Sequence, residues 1–97
     1  MPKRVLVECR DLLFRAKLQE IVRAAGAEAT REEPFDLAVI ELGQSPAAAR
    51  IRELVQRGIP VLAFGSHVDA AALSAARDLG ARAVPNSAVE NSLRALL

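Results

Sequence analysis

Pro34-Phe35-Asp36-Leu37-Ala38-Val39-Ile40-Glu41 carries four apolar residues in a row, Leu37 to Ile40, straight into a single carboxylate. A short continuous apolar run bounded by turn signals reads as a strand buried on both faces, the kind found in parallel sheets. Pro34 fixes the entry to it, and Glu41 closes it at its carboxyl end. In open parallel sheets, ligands and chemistry collect at that edge, so Glu41 is either the core of a site or the remnant of one.

Working outward, Arg4 to Glu8 is rich in Val and Leu and reads as a first buried strand, closed by Cys9-Arg10-Asp11. Asp11 is a natural N-cap. Phe14, Leu18, Ile21, Val22 and Ala25 then share one helical face with Arg15, Gln19 and Arg23 opposite, and Gly26 supplies the stop. Ala27 to Thr30 is a candidate short strand, but only about six residues separate it from Leu37, whereas a parallel crossover normally takes a dozen or more. Either it is a minimal edge strand or it leaves the sheet.

Beyond Glu41, Ser45-Pro46 reads as an N-cap and first helical position, with Ala48, Ile51, Leu54 and Val55 turned inward and Gly58 as the stop. Pro60 opens a buried strand, Val61 to Phe64. Ser66-His67-Val68-Asp69 caps an alanine-rich helix with Ala72, Leu73, Ala76 and Leu79 inside and Gly80 at its end. Ala81 to Val84 is the last strand. Ser87 and Glu90 form a capping-box pattern before a helix striped by Val89, Leu93 and Leu96. This alternation predicts an α/β fold, a three-layer doubly wound parallel sheet of four to five strands, in a single domain over residues 1–97.

Ninety-seven residues support one modest core, and with only three aromatics Leu, Val, Ile and Ala must fill it. Thirteen basic against twelve acidic residues give a net charge of +1, so no global field draws the chain to nucleic acid or anionic lipid. The arginines are dispersed with acids between them and no aromatic interleaving, which argues against single-strand binding. Cys9 is the only cysteine, which excludes an internal disulfide and points to a reducing cytoplasm. The apolar run Val5 to Val7 is too short for a signal peptide or membrane span.

Val5-Leu-Val followed by Asp11-Leu-Leu-Phe-Arg15, and Ile59-Pro-Val-Leu-Ala-Phe-Gly-Ser-His67 followed by Leu79-Gly-Ala-Arg82, resemble the receiver domains of two-component response regulators, which are flavodoxin-like. The resemblance implies strand order 2-1-3-4-5 and a phosphorylatable aspartate ending the third strand, with the family's second helix deleted here. It also implies a degenerate phosphoacceptor pocket of Cys9, Arg10, Glu41, Gly65, Ser66 and Asn86. Receivers hold Mg²⁺ with an acidic pair where this chain has Cys9 and Arg10, and neither a thiol nor a guanidinium suits a hard ion that wants oxygen ligands. Glu41 stands at the acceptor, its carboxylate roughly 1.5 Å further out than an aspartate's. Gly65, with Ser66 beside it, replaces the hydroxyl residue. Pro85-Asn86-Ser87 lacks the lysine.

The expectation is therefore a non-catalytic pseudo-receiver, not an enzyme and without a cofactor, which acts in signalling through protein contacts and pairs with itself or another protein. An Arg10 to Glu41 ion pair is expected to hold it in one state. A missing helix should expose part of an apolar sheet face, and exposed apolar patches mark contacts. The alternative is a small-ligand or metal-binding domain using Glu8, Glu41, Ser66 and His67 at the strand edge, and a third reading is an active receiver with an unusual acceptor. Cys9 is expected to be a small buried side chain rather than a reactive thiol.

Overall fold

The computed structural model describes residues 2–43 and 46–97. Strands β1 (Arg4–Glu8), β2 (Glu28–Ala29), β3 (Leu37–Glu41), β4 (Val61–Gly65) and β5 (Arg82–Pro85) form one sheet in the order β2-β1-β3-β4-β5, every pair parallel. Helices α1 (Leu12–Ala24), α2 (Ala47–Gln56), α3 (Ala70–Asp78) and α4 (Val89–Leu96) cover it on both sides. Strand alternation divides the core accordingly. Val5, Val7, Leu37, Val39, Leu62 and Phe64 face α1 and α4, meeting Leu18, Val22, Val89 and Leu93. Leu6, Ala38, Ile40, Val61 and Ala63 face α2 and α3, meeting Ile51, Leu54, Leu73 and Ala76. Each fully buried Leu, Ile or Val contributes about 1.5–3 kcal/mol. Phe14 lies stacked on Phe64, with ring centroids 5.4 Å apart.

The caps form where side-chain chemistry predicts. Asp11 accepts the Phe14 amide at 3.1 Å and Asp69 accepts the Ala72 amide at 3.1 Å. The expected Ser45 cap lies outside the described residues. On α2, Ala47 rather than Ala48 turns toward the core, with Ile51 and Leu54 fully buried. The Ser87–Glu90 capping box does not form: a 3₁₀ turn over Asn86–Ala88 moves the helix start to Val89, with Ala88 at the cap position and no side-chain capping bond. Glu90 instead lies 3.8 Å from Lys17 on α1 and 3.8 Å from Arg94 on α4.

The residues between Ala27 and Thr30 are a minimal edge strand. Glu28 and Ala29 pair with Arg4 and Val5, and the chain returns to β3 through residues 30–36 without a helix. The receiver family's second helix is thus absent, and Arg4 replaces it with a side-chain staple. Its Nε donates to the Pro34 carbonyl at 2.9 Å, and its Nη2 to the Glu32 carbonyl at 2.8 Å. Its Nη1 pairs with Glu28 at 3.1 Å, while its backbone amide donates to Asp36 Oδ2 at 2.8 Å. Arg57 of the segment after α2 forms an ion pair with Glu33 and ties the same crossover down from the other end.

That staple overturns the expectation of an exposed apolar sheet face. Leu6 and Ile40 are 1 % and 2 % exposed, and Phe35 from the crossover is buried in the same cluster. On this face β1 presents Arg4, Leu6 and Glu8, so the strand bears charge where a covering helix would have required apolar side chains. Large exposed apolar residues stand instead in the first turn of α1, Leu12 and Leu13, and in the turn before α3, Val68.

Candidate functional site

The carboxyl ends of β1 and β3, the start of α1, the first turns of α2 and the crossover enclose a cleft of about 460 Å³. Its apolar floor comes from Val7, Ile40, Pro46 and Ala47, and its walls carry Glu8, Cys9, Arg10, Arg15, Arg31, Glu41 and Arg50. Parallel register explains the convergence: β1 and β3 are neighbours, with Glu8 opposite Ile40, so the chain after β1 and the end of β3 emerge side by side.

Arg10 and Glu41 do meet, but through the backbone: the Arg10 amide donates to Glu41 Oε1 at 2.9 Å. Among the described residues no guanidinium of Arg10 lies within ion-pair distance of a carboxylate. The arginine that engages a strand-end carboxylate is Arg50, whose Nε sits 3.1 Å from Glu8 Oε2 while its Nη1 contacts Glu53 Oε1 at 3.0 Å. Both partners in the Glu8 pair are roughly seven-tenths buried.

Cys9 is buried, and its thiol donates a long contact to the Asp11 carbonyl at 3.5 Å. Burial pushes its pKa up, and the negative charge of Glu41 pushes it further. Where the resemblance to receivers places a metal-ligating carboxylate, the chain carries this desolvated thiol, with Arg10 next to it. These residues do not fit Mg²⁺, which takes oxygen donors in near-octahedral array.

Gly65 and Ser66 line a separate, smaller cleft with Leu42 and Asp69. A Cβ at Gly65 would stand 3.2 Å from Leu42 Cβ, so the close approach of Leu42 takes the space that a hydroxyl side chain would need there. Ser66 Oγ accepts the Val68 amide at 3.3 Å within the turn. His67 and Asn86 are exposed and lie outside the larger cleft. The structure therefore brings Glu8, Cys9, Arg10 and Glu41 together, and leaves Ser66, His67 and Asn86 elsewhere. Among the described residues no three His, Cys, Asp or Glu side chains group as metal ligands.

Arg15, Arg31 and Arg50 complete the cleft, and the sequence did not single them out. Helical periodicity assigns Arg15 to the outer face of α1, yet it lines the cleft from the first turn of that helix. Arg31 arrives through the crossover, whose path the distant residues Arg4 and Arg57 define. The legible signal for Arg50 was its position one turn into a helix that begins at the strand edge, opposite a glutamate ending β1.

No family model matches the chain, and no curated protein matches it in sequence. Solved structures match it in fold. A CheY-like response regulator receiver domain protein from Methanospirillum hungatei superposes with a TM-score of 0.76 at 14 % identity, over 96 % of this chain and 94 % of that one. A response regulator from Thermotoga maritima gives 0.80 at 13 % identity, over 99 % and 94 %. An orphan response regulator of H. pylori gives 0.74 at 16 % identity, over 97 % and 89 %. At these identities the likeness is one of fold: the chain has the receiver architecture, in the flavodoxin-like strand order, minus one helix.

Proposed function

We propose that this chain is a receiver-fold signalling module that works by protein contact, without aspartyl phosphorylation and without catalysis. The observation that carries this reading is the Cys9–Arg10–Glu41 arrangement: a buried protonated thiol and an arginine stand at the metal positions, and the Arg10 amide holds the carboxylate at the acceptor position. Phosphoryl transfer depends almost wholly on positioned metal and charge, which this constellation lacks. The similarity to an orphan response regulator is compatible with such a role.

The surface assigned to contact is the face formed by α3, β5 and α4, and the partner is a second copy of the chain. Ala70, Ala71 and Ala75 are exposed on α3 and leave room for close backbone approach, and Arg82 stands exposed on the edge strand. Thermal unfolding with Mg²⁺ and beryllofluoride tests the first half of the reading, since any ligand that binds the native state raises the melting temperature. No shift is expected, and a rise of several degrees overturns it. Light scattering tests the second half: a concentration-dependent dimer is expected, and a strict monomer at high micromolar concentration rules self-association out.

A further inference from the structure

We propose that the cleft at the ends of β1 and β3 is a binding site for a compact polyanion, specifically a small phosphate ester or diphosphate without a large aromatic base. Arg10 comes from the turn after β1, Arg15 from α1, Arg31 from the crossover and Arg50 from α2, so four separate segments bring arginines to the lining of one concavity. Glu8 and Glu41 are the carboxylates in its wall, and both are engaged, by Arg50 Nε and by the Arg10 amide. Among the described residues the guanidinium groups of Arg10, Arg15 and Arg31 have no carboxylate within ion-pair distance. Like charges gathered around a cleft with an apolar floor repel one another and focus a positive potential that an anion relieves. A guanidinium fork matches phosphate oxygens two at a time, which a lysine-lined surface would not do.

The shape of the cleft narrows the ligand. Its volume of about 460 Å³ falls in the range of small-molecule sites. The floor is aliphatic, and among the described residues no aromatic ring lines it for a nucleobase to stack on. The charge therefore selects for phosphate, and the floor leaves room for a small aliphatic portion. This inference rests on the same reading of the pocket as free of Mg²⁺ chemistry, and it adds what the remodelled pocket holds.

Calorimetric titration of the full chain with inorganic pyrophosphate, at low salt and with a chelator to exclude divalent metals, tests it. Binding at about 1 mM or tighter is expected, weakening with added salt, with inorganic phosphate weaker and ADP no tighter than pyrophosphate. Arg15→Ala and Arg31→Ala should each weaken binding about tenfold, whereas Arg23→Ala, exposed in the last turn of α1 and outside the cleft, should leave it unchanged. Circular dichroism verifies that the variants fold, and amide shifts at Cys9 and Arg10 locate the ligand. Absence of heat and of amide shifts up to about 10 mM overturns the proposal, as does equal weakening by Arg23→Ala. ADP binding tightly in place of pyrophosphate would overturn the exclusion of a base. A stabilising response to Mg²⁺ and beryllofluoride would instead sink the phosphorylation-independent reading, a separable result because the chelated titration contains no metal.

Discussion

Arg50 reaches from α2 to Glu8 at the end of β1, Nε to Oε2 at 3.1 Å, and thereby joins the helix to the central strands at the mouth of the cleft. With the side chains 28 % and 30 % exposed, the pair stands between a surface contact and a buried one. Such pairs contribute modestly, about 0.5–1 kcal/mol. A double-mutant cycle on Glu8→Gln and Arg50→Ala, read by urea unfolding, should return a coupling of that size which shrinks in high salt. A coupling of zero would mean the two charges are solvated independently.

Arg4 governs the crossover. Arg4→Ala removes three side-chain bonds to Glu28, Glu32 and Pro34, and leaves two carbonyls to find water. Partial exposure limits the cost, so a loss of about 2 kcal/mol is expected, a fall in Tm of roughly 8–16 °C for a chain of this size. Arg4→Lys should recover only a minor part, because an ammonium cannot span carbonyls arranged for a planar fork. Full recovery by lysine would show that charge alone holds the segment.

Gly80 ends α3 with φ at +103°, and a Cβ there would stand 2.9 Å from Val55 Cγ1 on α2. Gly80→Ala therefore meets a backbone penalty and a packing penalty together, about 3 kcal/mol in all. Gly43→Ala, also at positive φ but with no atom near its Cβ, should cost only the backbone share, about 1 kcal/mol. Equal losses in thermal unfolding would refute the part assigned to Val55.

Cys9 titrates above the ordinary thiol range, chiefly through burial and secondly through Glu41. Its folded pKa is raised, so the associated stability is fully present below the unfolded thiol's pKa and is lost as pH rises through the folded value. Stability should thus decline in the alkaline range, and Cys9→Ser should flatten that decline. Alkylation of the native protein at neutral pH should be slow compared with the unfolded chain. Glu41→Gln should speed it less than tenfold, since burial remains the larger cause. Fast native alkylation would contradict the burial of the thiol.

The sheet was legible because Val5-Leu-Val, Leu37-Ala-Val-Ile and Val61-Leu-Ala-Phe are apolar runs of strand length, each followed by a helix with its own stop. The helix caps at Asp11 and Asp69 were legible for the same local reason. What escaped was set by distant partners. The fate of residues 27–30 depended on Arg4, which lies more than twenty positions earlier and whose guanidinium does the work of a deleted helix. The arginine cleft escaped because periodicity sorts residues by face, and a long side chain in a first turn is not confined to its face. Arg15 is the clearest case. The Arg10–Glu41 contact was expected in the right place with the wrong donor, because a backbone amide leaves no mark in composition.

The two margins of the sheet are unequal in what they offer a neighbour. On one side Glu28 and Ala29 give a border two residues wide, further closed by the side chain of Arg4, while on the other Arg82 to Pro85 ends in a residue with no amide hydrogen. Endless stacking of copies, strand beside strand, needs a competent template at both margins of every subunit. Here growth in one direction has almost nothing to copy, which disfavours strand-by-strand extension of this sheet into fibres.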